Sequence, residues 1–174
     1  MIAKHGAKVR PKTLPKWFTE YVPEEVANSS LFKFTVIIGN KKVEVDMCAD
    51  LGVDYQILQQ QLEDTPSEFA YWAAIFSELK MQVNKVERQI KVRRGKLVDK
   101  TIREAMEASV KITDKQVQAI IEADNDLTEL EARLMILQKH TGKMGFMIDA
   151  IRMKSDNLRS LAGFARIEMQ NATN

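Results

Sequence analysis

The sequence predicts a mainly α-helical protein, in which long amphipathic helices form an oligomeric helical bundle and a small β-hairpin lies near the N-terminus. Three observations support this fold class. The 174 residues include 7 glycines and 4 prolines, which disfavours an all-β or loop-rich fold. Apolar residues recur at alternating intervals of three and four along much of residues 69–161, as they do in helices that pack along a seam. β-branched and aromatic residues alternate with polar ones between positions 31 and 47, which is typical of strands.

The chain divides into three parts. Residues 1–28 form a basic, flexible N-terminal tail, in which three prolines oppose helix formation. Residues 29–50 carry the hairpin, whose two strands flank a turn at Gly39 and Asn40. Residues 51–174 form a helical domain. An isolated hairpin is marginally stable in water, so this one must pack on helices, join a sheet or contact another chain.

Two long helices are expected in the helical domain. A short helix starts after Asp54, whose carboxylate can cap it, and the first long helix opens at Pro66. The second long stretch begins near Thr113, and three glycines interrupt its apolar series. Small residues permit either a close approach of helices or a break, and both alternatives stay open. The apolar residues of the predicted core and oligomerisation seam are Phe69, Trp72, Phe76, Leu79, Val83, Val86, Ile90, Leu130, Leu134, Leu137, Met144, Ile148 and Ile151.

The two seams together predict self-association. Two long amphipathic helices that pair only with each other cannot fully bury an apolar seam on both. We therefore expect other subunits to supply the missing cover, in a homo-oligomer.

The first long helix also carries a dense basic cluster. The whole chain has a net charge of only +2, yet nine basic residues and two acids lie between Lys80 and Arg103. Arg93 and Arg94 interrupt the apolar seam just before Gly95, and such a local conflict often marks a functional site. The residues that define this basic cluster are Lys85, Arg88, Lys91, Arg93, Arg94, Lys96, Lys100 and Arg103.

The basic cluster has two interpretations. It is either a solvated helix face or a docking site for a polyanion. Arginine and lysine both suit phosphate, arginine through its planar fork and lysine as a point charge. The density of charge and the arginines in the seam favour nucleic acid, with affinity that falls as salt rises.

The sequence contains no recognisable arrangement of catalytic or metal-binding residues. Cys48, His5 and His140 have no metal-ligand spacing, and no phosphate-binding loop or dinucleotide fingerprint occurs. Asp124 and Asp126 are interpreted as a charge pattern on a helix face rather than a metal site. We expect no enzymatic activity, no cofactor and no metal.

The sequence also favours a cytoplasmic location. A single cysteine cannot form an intrachain disulfide, which is the simplest pattern in a reducing compartment. No apolar run approaches the roughly 20 residues of a membrane span, so we expect no membrane association. The basic N-terminal sequence lacks the apolar segment of a secretory signal.

From about Asp50 onward the sequence carries a series of motifs in a distinctive order. They are Tyr71-Trp72, residues 86–92 (VERQIKV), residues 111–118 (KITDKQVQ), residues 120–126 (IIEADND), Gly145-Phe146 and residues 149–152 (DAIR). In these motifs the chain resembles the phage recombination mediator proteins, the UvsY-like family.

The resemblance implies a bacteriophage protein in the host bacterial cytoplasm. Such a protein binds single-stranded DNA, assembles into a ring-like homo-oligomer and helps to load a RecA-like recombinase by displacing single-strand-binding protein. Residues 51–174 would then be the DNA-binding and oligomerisation domain, and residues 1–47 an addition. By position, Lys91, Arg93, Arg94 and Lys96 inherit DNA contact, although the aromatic-rich sequence that follows in the family is not matched here.

A second class of function stays open. The chain could be a coiled-coil scaffold, adaptor or chaperone whose basic face binds an acidic protein. The acidic segment Glu122–Glu131 of a neighbouring subunit is one candidate for that partner. An enzyme of nucleic-acid metabolism is disfavoured, because nothing supplies a nucleophile or a metal.

Overall fold

The computed structural model describes residues 29–53 and 55–172. The elements, in chain order, are β1 (Lys33–Ile38), β2 (Lys41–Asp46), α1 (Met47–Leu51), a 3-10 turn (Tyr55–Ile57), α2 (Leu58–Glu107), α3 (Asp114–Glu122) and α4 (Asn125–Ala172). The predicted fold class, mainly α with long helices and a small hairpin near the N-terminus, is confirmed. The predicted tail at 1–28 and the predicted cap at Asp54 lie outside the described residues.

The hairpin forms where its alternating pattern predicts it. The antiparallel register pairs Ile38 with Lys41, which leaves Gly39 and Asn40 as a two-residue turn. Gly39 has a φ of 60°, in the left-handed region that favours glycine. Of the side chains that alternate to the inner face, Val36 and Val45 are the most deeply buried. The hairpin is thus held by apolar packing on one face.

Helix α2 is continuous through Pro66, so the prediction of a separate short helix before a main helix is wrong. Proline inside a helix removes one backbone hydrogen bond and costs about 3 kcal/mol. Residues on both sides of Pro66 nevertheless stay helical, because Thr65 and Trp72 are buried. The Thr65 hydroxyl also donates to the Gln61 carbonyl at 2.5 Å. Tertiary packing therefore outweighs the local preference for a break.

Helices α3 and α4 replace the single stretch that the sequence predicts after Thr113. α3 begins next to Thr113, as expected, and Thr113 caps it in a reciprocal capping box with Gln116. The chain then breaks at Ala123 and Asp124, where the Asp124 carboxylate accepts from the Leu127 N–H at 2.8 Å. The three glycines farther along do not break α4, which runs without interruption to residue 172.

The chain forms two compact units, to which α2 and α4 both contribute segments. The hairpin unit comprises residues 29–53, 55–74 and 143–172, and the corner unit comprises Ile75–Gly142. The buried apolar residues of the hairpin unit are Val36, Val45, Met47, Cys48, Trp72, Met144, Met147, Ile148, Ile151 and Leu158. The central cluster of the corner unit is Val86, Ile90, Ile121 and Leu127, against which Leu97, Val98, Val117, Leu130, Leu134 and Leu137 pack.

A buried lysine joins three elements of the hairpin unit. The Lys154 amine donates to the Asp50 carbonyl at 3.0 Å and lies 3.7 Å from the Glu68 carboxylate. Lys143, at the start of the α4 segment, places its amine 4.7 Å from the Phe34 ring centre and donates to the Ser30 carbonyl. These polar contacts pin the hairpin and α2 to α4.

The predicted seam lies inside the single chain. Seven of its residues are buried within one chain and six are half-buried, while self-association stays a prediction. The seven are buried because the hairpin, α1 and α3 add apolar surface that two paired helices lack. The buried members are Trp72, Leu79, Val86, Ile90, Met144, Ile148 and Ile151. The half-buried members are Phe69, Phe76, Val83, Leu130, Leu134 and Leu137.

None of the helices within residues 29–53 and 55–172 combines the length and apolar character that crossing a membrane requires.

Candidate nucleic-acid interface

The basic cluster lies on the α2 segment of the corner unit. Seven of its eight side chains are exposed, and only Arg93 is half-buried. Successive residues of an α-helix turn by about 100°, which separates the cluster into rows. Lys85, Lys96 and Arg103 lie close to one line along α2, and Arg88 and Lys91 lie on another side. The buried residues of α2 face away from both rows.

Arg93 is held by carboxylates of the α3–α4 corner. Its Nε donates to Asp124 Oδ1 at 3.1 Å and its Nη2 to Asp124 Oδ2 at 2.6 Å, which makes a bidentate pair. The same Nη2 lies 2.8 Å from Asp126 Oδ2. The Asp124 side chain is only 14% exposed, and it also caps α4 through Leu127. We call the contacts among Arg93, Asp124 and Asp126 the arginine clamp.

The contacts of the arginine clamp favour the charged forms of both Arg93 and Asp124. The hydrogen bond from Arg93 holds the pKa of the Asp124 carboxyl below its ordinary value, and the Leu127 N–H adds to this effect, while burial opposes it. The same hydrogen bond raises the pKa of the Arg93 guanidinium. Asp124 is therefore charged at neutral pH, and both the ion pair with Arg93 and the cap of α4 use that charged carboxylate.

Arg94 forms a different kind of pair. Its Nη2 donates to Glu131 Oε1 at 2.6 Å, but the two side chains are 54% and 44% exposed. Exposed pairs of this type contribute about 0–1 kcal/mol and weaken with salt. Arg94 is thus weakly held, whereas the ion pairs of Arg93 help to hold α2 against the start of α4.

These contacts explain why the apolar seam lapses at Arg93 and Arg94. The chain segment that packs against them, residues 124–131, carries carboxylates, and arginines pair with these where apolar residues could not. The sequence left open that acids of a neighbouring subunit meet the basic face. In the structure, Asp124, Asp126 and Glu131 of the same chain do so, at two of the eight basic positions.

Sequence reasoning considered these acids as partners of the basic face only in a neighbouring subunit, and it missed both their pairing within one chain and the cap at Asp124. It interpreted Asp124 and Asp126 as a solvated charge pattern, within one long helical stretch. The signal that could have found Asp124 is its position, because an aspartate three residues before an apolar residue is a favoured helix cap. No local signal identifies Arg93 as its partner, because the two residues are 31 positions apart.

A shallow groove of about 460 Å³ runs beside the basic cluster within the corner unit. Arg88, Lys91 and Arg94 border it, and Ile90 and Leu134 add apolar surface. Asn84 and Glu87 complete the lining, so the groove combines three cations, one carboxylate and an apolar wall. Within the part of the chain that the structure describes, no group of His, Cys, Asp and Glu is arranged to hold a metal ion.

The arrangement of long helices has a counterpart among phage recombination mediators. The crystal structure of the bacteriophage T4 recombination mediator protein UvsY matches this chain with a TM-score of 0.56. The match covers 70% of this chain and 92% of that chain, with 17% identical residues. A scan against models of known protein families finds no match, and a search of curated proteins finds none either. The likeness therefore establishes a shared fold.

Proposed function

We propose that this protein is a recombination mediator without enzymatic activity. It binds single-stranded DNA through the basic cluster of α2 and promotes loading of a RecA-like recombinase by displacing single-strand-binding protein. The observation that carries the proposal is the row of exposed cations on α2, in a chain whose fold is shared with a phage mediator. Such a protein would act in the cytoplasm of the infected bacterium.

The chemistry of the basic cluster suits a phosphate backbone rather than particular bases. Cations that neutralise phosphates release condensed counterions, which gives affinity for any sequence and a strong dependence on salt. No aromatic residue occurs between positions 80 and 103, so the cluster offers no ring on which bases could stack. We expect binding with little sequence preference.

From their exposure and contacts, we divide seven of the eight basic residues by role, while Arg94 is paired with Glu131. The exposed members are available to phosphates, so we assign DNA contact first to Lys85, Arg88, Lys91 and Lys96. Lys100 and Arg103 extend the same surface toward the end of α2, although Lys100 also lies 3.7 Å from Glu104. Arg93 acts as a positioning residue, because the arginine clamp already uses its guanidinium.

We propose that self-association uses a face of α4 rather than the predicted seam. In the hairpin unit Phe146 is 75% exposed and Met153 is 62% exposed. Phe164 and Ile167 are also exposed. Phe146, Met153 and Phe164 are separated by seven and eleven residues, which is close to two and three helical turns, so they share one face. Large apolar side chains that are exposed on one face of a helix are candidates for an interaction surface.

Association would strengthen DNA binding without any new contact. A ring of identical subunits repeats the basic cluster, and each further contact with the same strand is intramolecular. A modest patch on one chain then becomes a high-affinity surface on the assembly.

The DNA-binding proposal is tested with a fluorescent oligonucleotide in a salt series. Arg88→Gln/Lys91→Gln should weaken binding about tenfold and reduce the slope of log K against log salt by about 1.4, the value for two lost phosphate contacts. The matched control is Arg133→Gln/Lys139→Gln, which removes the same charge from exposed sites on α4. Equal loss in both variants would reduce the effect to net charge, and no binding by the wild type would reject the proposal.

The assembly is tested by static light scattering and by electron microscopy. We expect a homo-oligomer at micromolar concentration and ring-shaped class averages. Phe146→Lys should shift the mass toward the monomer, because the side chain is exposed within one chain and the substitution leaves its core intact. A wild-type monomer would contradict the proposed ring.

A scaffold or adaptor that binds an acidic protein is the second candidate. One observation favours it, namely that Arg93 and Arg94 already bind carboxylates. The two functions are separated by competition: an acidic peptide that displaces the oligonucleotide at equal charge concentration would favour the adaptor. Nucleic acid that purifies with the protein and is removed by high salt would favour the mediator.

A further inference from the structure

Glu131 lies beside the groove, because it pairs with Arg94, one of the residues that line it. Its carboxylate accepts from Arg94 at 2.6 Å, and Arg94 borders the groove together with Arg88 and Lys91. Three cations and the Glu87 side chain thus line one groove, and a carboxylate of α4 already pairs with one of the cations. A carboxylate and a phosphate present similar oxygen pairs to a guanidinium.

The two neighbouring arginines differ in how readily they can change partner. Arg93 makes a bidentate pair with Asp124, which is largely buried and also caps α4. Exchange there would break the fold of the corner. Arg94 holds Glu131 by a single hydrogen bond between exposed side chains, so exchange there leaves the backbone and the apolar cluster unchanged.

We propose that Glu131 takes the place of a phosphate on Arg94, at the edge of the groove, and that a backbone phosphate of single-stranded DNA displaces it. The inference rests on the proposed DNA-binding function and names one phosphate position within it. In the unbound protein Glu131 neutralises Arg94. When a strand enters, Arg94 turns from the carboxylate to a phosphate oxygen between Arg88 and Lys91, and Glu131 becomes solvated. Ile90 and Leu134 then face the sugar of the bound nucleotide.

Because of this exchange, Glu131 lowers the affinity for DNA. Each binding event must separate the Arg94–Glu131 pair and bring a phosphate close to a carboxylate. Weak ligands with few phosphates gain too little from Arg94 alone. A strand that also contacts Arg88 and Lys91 gains enough to displace Glu131.

Glu131→Gln is the direct test, and Glu129→Gln is its matched control. Both remove one negative charge from exposed positions two residues apart on α4. Anisotropy with a fluorescent oligonucleotide at moderate salt should show that Glu131→Gln binds about threefold more tightly than Glu129→Gln. Equal affinity of the two variants, or weaker binding by Glu131→Gln, would overturn the proposal.

A double-mutant cycle assigns the effect to Arg94. In an Arg94→Gln background, Glu131→Gln and Glu129→Gln should bind alike, because no guanidinium remains to be released. A gain from Glu131→Gln that persists without Arg94 would overturn the exchange. Failure of the wild type to bind DNA would instead reject the proposed function, so the two failures are distinguishable.

Discussion

The hairpin unit and the corner unit stabilise themselves in different ways. In the hairpin unit Met144, Met147 and Leu158 are fully buried, and the hairpin covers one side of the helices. The corner unit has a central cluster of four buried residues, and a charged clamp joins α2 to the start of α4. The candidate DNA surface lies on the unit that depends on charge.

The difference has a physical reason. A surface that binds phosphates needs exposed cations, and each exposed cation on α2 takes a position that an apolar residue could otherwise use for packing. The corner unit compensates with ion pairs, whose partners are acids that also resemble the ligand. The hairpin unit carries no such requirement, and it buries a larger set of apolar residues around one buried lysine, Lys154. Three substitutions test this difference between the units, in order of decreasing expected effect on stability.

Met147→Ala should have the largest effect on stability. Met147 is fully buried in the hairpin unit, and truncation of a buried methionine costs about 2–5 kcal/mol. Met153→Ala is the control, because the same side chain lies exposed on the same helix and its loss should change stability by less than about 0.5 kcal/mol. Chemical denaturation measures both. A large loss in Met153→Ala that grows with protein concentration would place Met153 in a subunit interface.

Asp124→Asn should lower the thermal midpoint by several degrees, since it weakens both the pair with Arg93 and the cap of α4. Asp126→Asn, at a more exposed member of the arginine clamp, should lower it less.

The loss of stability in Asp124→Asn should depend on pH. The pKa of Asp124 is lower in the folded than in the unfolded protein, so its stabilisation is fully present above about pH 4 and is lost as the pH falls through the folded pKa. The difference between wild type and Asp124→Asn should therefore shrink in acid. A difference of constant size from pH 7 to pH 2 would show that Asp124 acts without its charge.

Gly95→Ala should have the smallest effect and the opposite sign. Gly95 lies in the interior of α2, and an added Cβ meets no atom within 4 Å. Alanine should raise the free energy of unfolding by roughly 0.5–1 kcal/mol. Gly39→Ala is the contrast, because a φ of 60° should make alanine unfavourable by about 1–2 kcal/mol. Destabilisation by Gly95→Ala would indicate that the helix does break there.

Local signals predicted much of the fold. The Gly39-Asn40 turn, the helix start near Thr113 and the apolar spacing of α2 each depend on residues within a few positions of one another, and the structure has all three. Predictions failed where a distant contact overrides a local preference. Pro66 was expected to open a helix, and the break at Asp124 was not expected at all.

The candidate site divides in the same way. The basic residues and their exposure follow from composition and from helical periodicity, because a dense row of cations on an amphipathic helix cannot all be buried. The unequal roles of Arg93 and Arg94 could not be derived, because their partners lie 31 and 37 positions away. Nothing in the local sequence of either arginine distinguishes them.

The sequence by itself determined the helical class, the hairpin and the position of the cations, since these depend on backbone preferences and on the period of apolar residues. Only the tertiary structure decided that much of the predicted seam is the core of each unit, that Arg93 is held by a largely buried aspartate and that Arg94 pairs with a more exposed glutamate. The physical reason is that burial and ion pairing depend on which residues meet in space. For Arg93 and Arg94, that meeting is set by the corner between α3 and α4.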